Sequence, residues 1–155
     1  MPRDILADFS IQQALSVGSA ADLAATDSSQ TVGGVAPDQI SSLSGDQHIT
    51  VRVKNVGANA LTTGVFIAAV HVSVDAGSNF FEKARVEVPA ADLAAGLDAL
   101  RDITFTVDVY DPNFPLLLSN VRVKMVYSTS GHTTASVVSL QVTSYFDAAG
   151  VGSYN

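Results

Sequence analysis

Cysteine is absent from this 155-residue chain, and so is tryptophan. Without cysteine there is no disulfide and no thiolate metal site. The fold must rest on packing, which this length allows: about 68–70% of the unfolded surface can be buried. A cysteine-free chain also fits a reducing compartment. Basic residues are scarce, with 8 Lys and Arg against 15 Asp and Glu and a formal net charge of −7. Nucleic acid and anionic membranes need cation clusters to displace counterions, so neither is an expected direct partner. Long apolar runs are missing too. The longest, Val65 to Val72, is interrupted by His71 and is far too short to cross a bilayer. No apolar run of signal-peptide length follows Met1-Pro2-Arg3-Asp4, so a soluble product not addressed to export is expected.

Hydrophobic residues make up 47% and charged residues only 15% of the chain. Low charge with high apolar content fits a surface committed to protein contacts, and equally an ordinary acidic domain. The dominant pattern has period two. In Ile49-Thr50-Val51-Arg52-Val53-Lys54 the apolar side chains share one face and the polar ones the other, as in a half-buried strand. The same alternation predicts strands at Ala84–Val88, Ile103–Tyr110, Val121–Tyr127 and Val137–Phe146. Val65–Val74 is apolar on both faces for most of its length and reads as a central, doubly covered strand. Phe9–Leu15 is a weaker candidate for a first strand.

Turn residues separate these runs at Asn55–Asn59, Asp75–Asn79 and Ser128–Gly131. The last is expected to join the final two long strands as a hairpin. Asp111-Pro112-Asn113-Phe114-Pro115 reads as a rigid loop. Helix is minor. Ala90–Ala95 follows Pro89 and precedes Gly96, which suits a short helical segment, and Ser19–Ala25 suits a turn. Ser28–Gly34 reads as loop or irregular edge strand, and Ala36–Gly45 and Leu97–Asp102 as enlarged loops. The expected architecture is all-β: one antiparallel two-sheet sandwich of jelly-roll type with one or two short helical turns. It spans 1–155 as a single domain, with 8–146 as folded core and the unpatterned 1–7 and 147–155 as arms or tails.

Catalytic patterns are missing. His48, His71 and His132 have no second ligand at helix-face spacing, and the expected reading is two surface histidines and one packed in the sheet. No Gly-x-Ser-x-Gly, Ser-x-x-Lys or phosphate-binding glycine motif occurs. Asp108–Asn113 offers oxygen atoms suited to Ca²⁺ but lacks the rest of a known loop, so a capped turn is the plainer reading. No enzyme activity, cofactor or metal is expected. Phe80-Phe81 and Phe114 with Leu116-Leu117-Leu118 are the candidate residues of a subunit interface, with Phe80, Phe81 or Leu117 expected between subunits if the chain forms trimers. Neighbouring apolar residues on a strand point to opposite faces, so one set must leave the core, and buried aromatics concentrate binding energy. Closing the core at strand ends is the commoner fate of such residues.

The order of segments resembles the capsid cement, or head decoration, proteins of tailed bacteriophages. The likeness runs from Ala7–Leu15 through the polar stretch Thr26–Val32 to the Ile49–Lys54 strand. It continues in the turn passage Val72–Phe80, the Val88–Gly96 segment, and the strands Val121–Ser128 and Val137–Tyr145. The resemblance implies a jelly-roll-like domain that binds the capsid exterior as a homotrimer and stabilises contacts between major capsid protein subunits. It implies a virion location after synthesis in the host bacterial cytoplasm, with no cofactor. The alternative is a carbohydrate-binding β-sandwich of a phage fibre or cell surface, which the absence of Trp and the presence of only 4 Tyr weaken. A cupin-type metal enzyme would need His and Glu clustered on paired strands.

Overall fold

A computed structural model describes residues 8–28, 46–106, 122–133 and 135–146. The strands are β1 (Asp8–Val17), β2 (Thr26–Asp27), β3 (Asp46–Asn55), β4 (Val65–Ser73), β5 (Phe81–Pro89), β6 (Asp98–Thr106), β7 (Arg122–Ser130) and β8 (Val138–Phe146). They form two four-stranded sheets, ordered β1-β8-β3-β6 and β2-β7-β4-β5. All strand pairs are antiparallel. Among the described strands, only β4 and β5 are consecutive in one sheet; each other pair of successive described strands lies in different sheets. That winding is a jelly roll.

Period-two patterning explains each strand. Along β3, Ile49, Val51 and Val53 are fully buried while His48 and Arg52 are exposed. Along β8, Val138, Leu140, Val142 and Ser144 point inward. β4 is central, between β7 and β5, as its apolar sequence predicts. Phe66, Ala68, Val70 and Val72 form its inner face; Ala69 is buried on the other face, and Ile67 and His71 are half-buried there. Each fully buried Val or Leu contributes about 1.5–3 kcal/mol relative to exposure.

One polar tie joins the sheets through this core. The hydroxyl of Tyr127 on β7 meets Ser10 Oγ on β1 at 2.8 Å and Ser144 Oγ on β8 at 2.5 Å. The Tyr127 ring stacks on Phe66, with centroids 6.1 Å apart. Burial pushes the phenol up to about 12, against the two serine hydrogen bonds that favour its ionised form.

Three local expectations are corrected. β7 and β8 do not form a hairpin. The Ser128–Gly131 segment ends β7, and the chain crosses to the other sheet, where β8 lies between β1 and β3. Alternation identifies a strand but not its sheet. Leu97–Asp102 is not an enlarged loop, because Asp98 begins β6 and pairs with Lys54. The Ala90–Ala95 helix contracts to a 3-10 turn, Ala90–Asp92, because Pro89 keeps an extended ψ of 146° as the last residue of β5. Gly96, with φ +81°, reverses the chain as its glycine predicts. Residues 1–7 and 147–155, and the proposed loop Ala36–Gly45, lie outside the described residues.

The two ends of the sandwich differ. At one end, the short connections 18–25, 56–64, 90–97 and 131–137 are tied together. Ser19 Oγ donates to Ala135 O, Asn55 Nδ2 to Leu93 O, Thr63 Oγ1 to Gly131 O and Ala90 N to Gly64 O. At the other end lie the β4–β5 hairpin, the start of β1, the end of β8, and the strand residues that border 29–45 and 107–121.

Candidate interaction surfaces

The hairpin end is organised by Ser73-Val74-Asp75-Ala76-Gly77-Ser78-Asn79. Asp75 Oδ1 accepts from Ser73 Oγ at 2.7 Å and from Asn79 N at 2.9 Å, and Oδ2 accepts from Asn79 Nδ2 at 2.7 Å. The Ser73 and Asn79 hydrogen bonds hold the Asp75 carboxyl down at about 2. Gly77 takes φ +90° and donates its N–H to Ser73 Oγ at 2.9 Å. A turn so closed presents the residues that follow it in a fixed direction.

Those residues are Phe80 and Phe81. The Phe80 ring is half-buried beneath the Lys124 ammonium, which lies 4.2 Å from its centroid. Lys124 also pairs with Asp27 at 3.0 Å. Phe81 pairs with Val72 and leaves 47% of its surface exposed at the sandwich end. Of the expected interface residues, Phe80 and Phe81 are adjacent here, one held and one free. Phe114, Leu116, Leu117 and Leu118 lie outside the described residues, as does Asp108–Asn113.

A row of charges crosses the outer face beside this end. His71 on β4 faces Lys124 on β7 and lies 4.0 Å from Glu82 on β5. Glu82 takes a two-pronged bond from Arg85 at 2.6 and 2.8 Å, and Arg85 reaches Glu87 at 3.8 Å. Partial burial pushes His71 below its ordinary range, outweighing the attraction of Glu82. The Arg85 hydrogen bonds hold Glu82 below the usual carboxylate range. Glu82, Arg85 and Glu87 lie on β5, an edge strand among the described strands, and charged edges resist pairing with foreign strands.

The histidines do not converge. His48 is exposed on β3 beside Thr104, His71 is half-buried, and His132 is buried after Gly131. The packed histidine is therefore the one in a turn and not in a sheet. Neither ring nitrogen of His132 has a hydrogen-bond partner. The turn around it is held by Asp22, whose carboxylate accepts from Thr129 Oγ1, Gly131 N and His132 N. Among the described residues no three His, Cys, Asp or Glu side chains gather as a metal site.

A second surface was not visible in the sequence. At the short-loop end, Val56, Leu97 and Val137 are 52%, 50% and 48% exposed. Val56 and Leu97 are isolated apolar residues in loops, and Val137 adjoins Val138 out of phase with the alternation of β8. The fold brings them together: Val56 N donates to Ser139 O, Asn55 N to Leu97 O, and Asn59 Nδ2 to Val137 O.

No family model matches the chain, and no curated protein matches its sequence. Solved structures with similar β architecture include one described as "CBM4 structure and function", at 9% identity and TM-score 0.40, covering 86% of this chain and 82% of that one. Carbohydrate-binding modules from the β-sandwich superfamily match at 8% identity and TM-score 0.41, covering 90% and 58%. The cowpea mosaic virus top component, a naturally occurring empty particle, matches at 12% identity and TM-score 0.36, covering 67% and 53%. These are likenesses of β architecture alone.

Proposed function

We propose that this chain is a structural protein of a phage head, seated on the capsid exterior and holding major capsid subunits together, with copies of the chain associating as a trimer. The observation that supports this reading is the asymmetry of the sandwich. One end is closed by short, mutually bonded loops. The other carries the exposed Phe81 on a rigid hairpin, beside both boundaries of the folded core. A clamp needs a stiff body, an apolar anchor and repeated copies. Weak contacts then add through multivalency on a symmetric lattice. Phe80 and Phe81, expected from the sequence between subunits, are assigned in this reading to the capsid-facing contact.

The competing reading, carbohydrate binding, would use the outer face of the β1-β8-β3-β6 sheet. Its described residues include Arg52, Lys54, Gln141, Thr143 and Tyr145. Tyr145 is the one aromatic on that face among the described side chains, and sugar platforms generally use more than one ring. Mixing the purified chain with heads that lack it separates the two. Saturable cosedimentation, weakened by Phe81→Asp, supports the head reading. No binding to heads together with glycan-array binding that Tyr145→Ala abolishes would overturn it.

A further inference from the structure

We propose that the short-loop end, centred on Val56, Leu97 and Val137, is the surface through which copies of this chain bind one another. The occupant follows from charge and rigidity. The connections 18–25, 56–64, 90–97 and 131–137 contain no Lys or Arg and only the acids Asp22 and Asp92. Both acids are engaged, Asp22 by the 129–132 turn and Asp92 by Arg101. The whole chain carries a formal net charge of −7, so two copies repel across most approaches. This end is where carboxylates are sparse, with Asp22, Asp92 and the flanking Asp98 as its acids. A partner of different charge would be recognised by a complementary charged surface, which this end lacks. A second copy needs none, because it brings the same sparsely charged apolar face.

The presentation suits binding. Val56 is fixed on one side by its N–H to Ser139 O at 2.9 Å. On the other side, Gly96 N donates to Asn55 O at 2.9 Å and Asn55 N to Leu97 O at 3.3 Å. Asn59 Nδ2 holds Val137 O at 3.1 Å. Asn55, buried beneath, donates to Asn59 O and Leu93 O and accepts from Gly57 N. Leu61 and Leu93 pack under the same loops. Three exposed apolar side chains on preordered backbone lose little entropy on association. The inference rests on the proposed association of copies and not on the seat on the capsid, since it concerns the free chain.

The test is the mass of the free chain by light scattering and sedimentation from low micromolar to submillimolar concentration. The wild type is expected to form a discrete oligomer that persists or strengthens as salt rises, because salt screens the repulsion and leaves apolar contact intact. Val56→Asp and Leu97→Asp are expected to weaken association tenfold or more, while Phe81→Asp at the opposite end leaves it unchanged. Circular dichroism and melting confirm folding, and Leu97→Ser replaces any aspartate variant that fails to fold. A wild type that stays monomeric throughout would overturn the proposal. So would folded Val56 and Leu97 variants that keep the wild-type oligomer, or an oligomer that only Phe81→Asp disrupts.

Discussion

Replacing Tyr127 with phenylalanine removes one oxygen from the middle of the sandwich. That oxygen joins β7 of one sheet to β1 and β8 of the other through Ser10 and Ser144. Ser10 keeps a second partner, Gln13 Oε1 at 2.6 Å, but Ser144 Oγ loses its bond to the ring at a fully buried site. A buried hydroxyl left without its partner costs about 2 kcal/mol. For a chain of this length that lowers the melting temperature by about 4–8 °C. Adding Ser144→Ala removes the stranded hydroxyl, so the double variant should be less destabilised than the two single effects summed, by about 1 kcal/mol. The phenol also makes alkaline stability informative. Its folded value of about 12 lies above its ordinary value of 10, so the folded state holds the proton more tightly. The stabilisation is complete below pH 10 and is lost as pH rises through 12, a change of about 3 kcal/mol. Denaturant melts of the wild type and Tyr127→Phe from neutral to strongly alkaline pH measure both effects. A variant as stable as wild type, with no coupling to Ser144 and the same alkaline profile, would refute a buried inter-sheet tie.

Gly64 and Gly96 both have positive φ but differ in surroundings. A Cβ at Gly64 would lie 2.1 Å from Ser130 O, whereas one at Gly96 meets nothing within 4 Å. Gly64→Ala should therefore cost more than about 3 kcal/mol and Gly96→Ala about 1, by denaturant unfolding. Asp75, held at about 2 against an ordinary 3.8, stabilises the hairpin above pH 4, and that contribution is lost as pH falls through 2. Asp75→Asn should flatten the acid limb of the melting curve. His71 is depressed below its ordinary 6.5, so its neutral form stabilises the fold at neutral pH, and the benefit fades as pH falls below that value. His71→Gln should reduce the loss of melting temperature between neutral and mildly acid pH. Asp22→Ala should speed hydrogen exchange at the Gly131 and His132 amides, which its carboxylate holds at 3.1 and 2.9 Å.

Much of the fold was legible because β-strands write their burial every second residue. Ile49, Val51 and Val53 announced β3, and Val138 to Ser144 announced β8. The sheet to which a strand belongs was not legible. β7 and β8 alternate equally well, and only the inward meeting of Tyr127 with Ser144 reveals that they face each other across the core. The 3-10 turn was legible in kind from Pro89 and Gly96, and its length was not, since Pro89 remained in β5. Phe80 and Phe81 were legible as a pair of aromatics beside a turn. Their different fates were not, because they depend on Lys124 arriving from β7. Val56, Leu97 and Val137 were invisible for the same reason. Residues far apart in the chain become one surface only when the loops are bonded together.

The central claim is that this jelly roll clamps the outside of a phage head. It is tested most directly by electron cryomicroscopy of particles assembled with and without the chain. The account predicts density for the sandwich on the outer surface where capsid subunits meet, with the Phe81 end toward the shell, and its loss in particles made without the chain. Unchanged shells in both, or the chain found only on a fibre or free in solution, would contradict it.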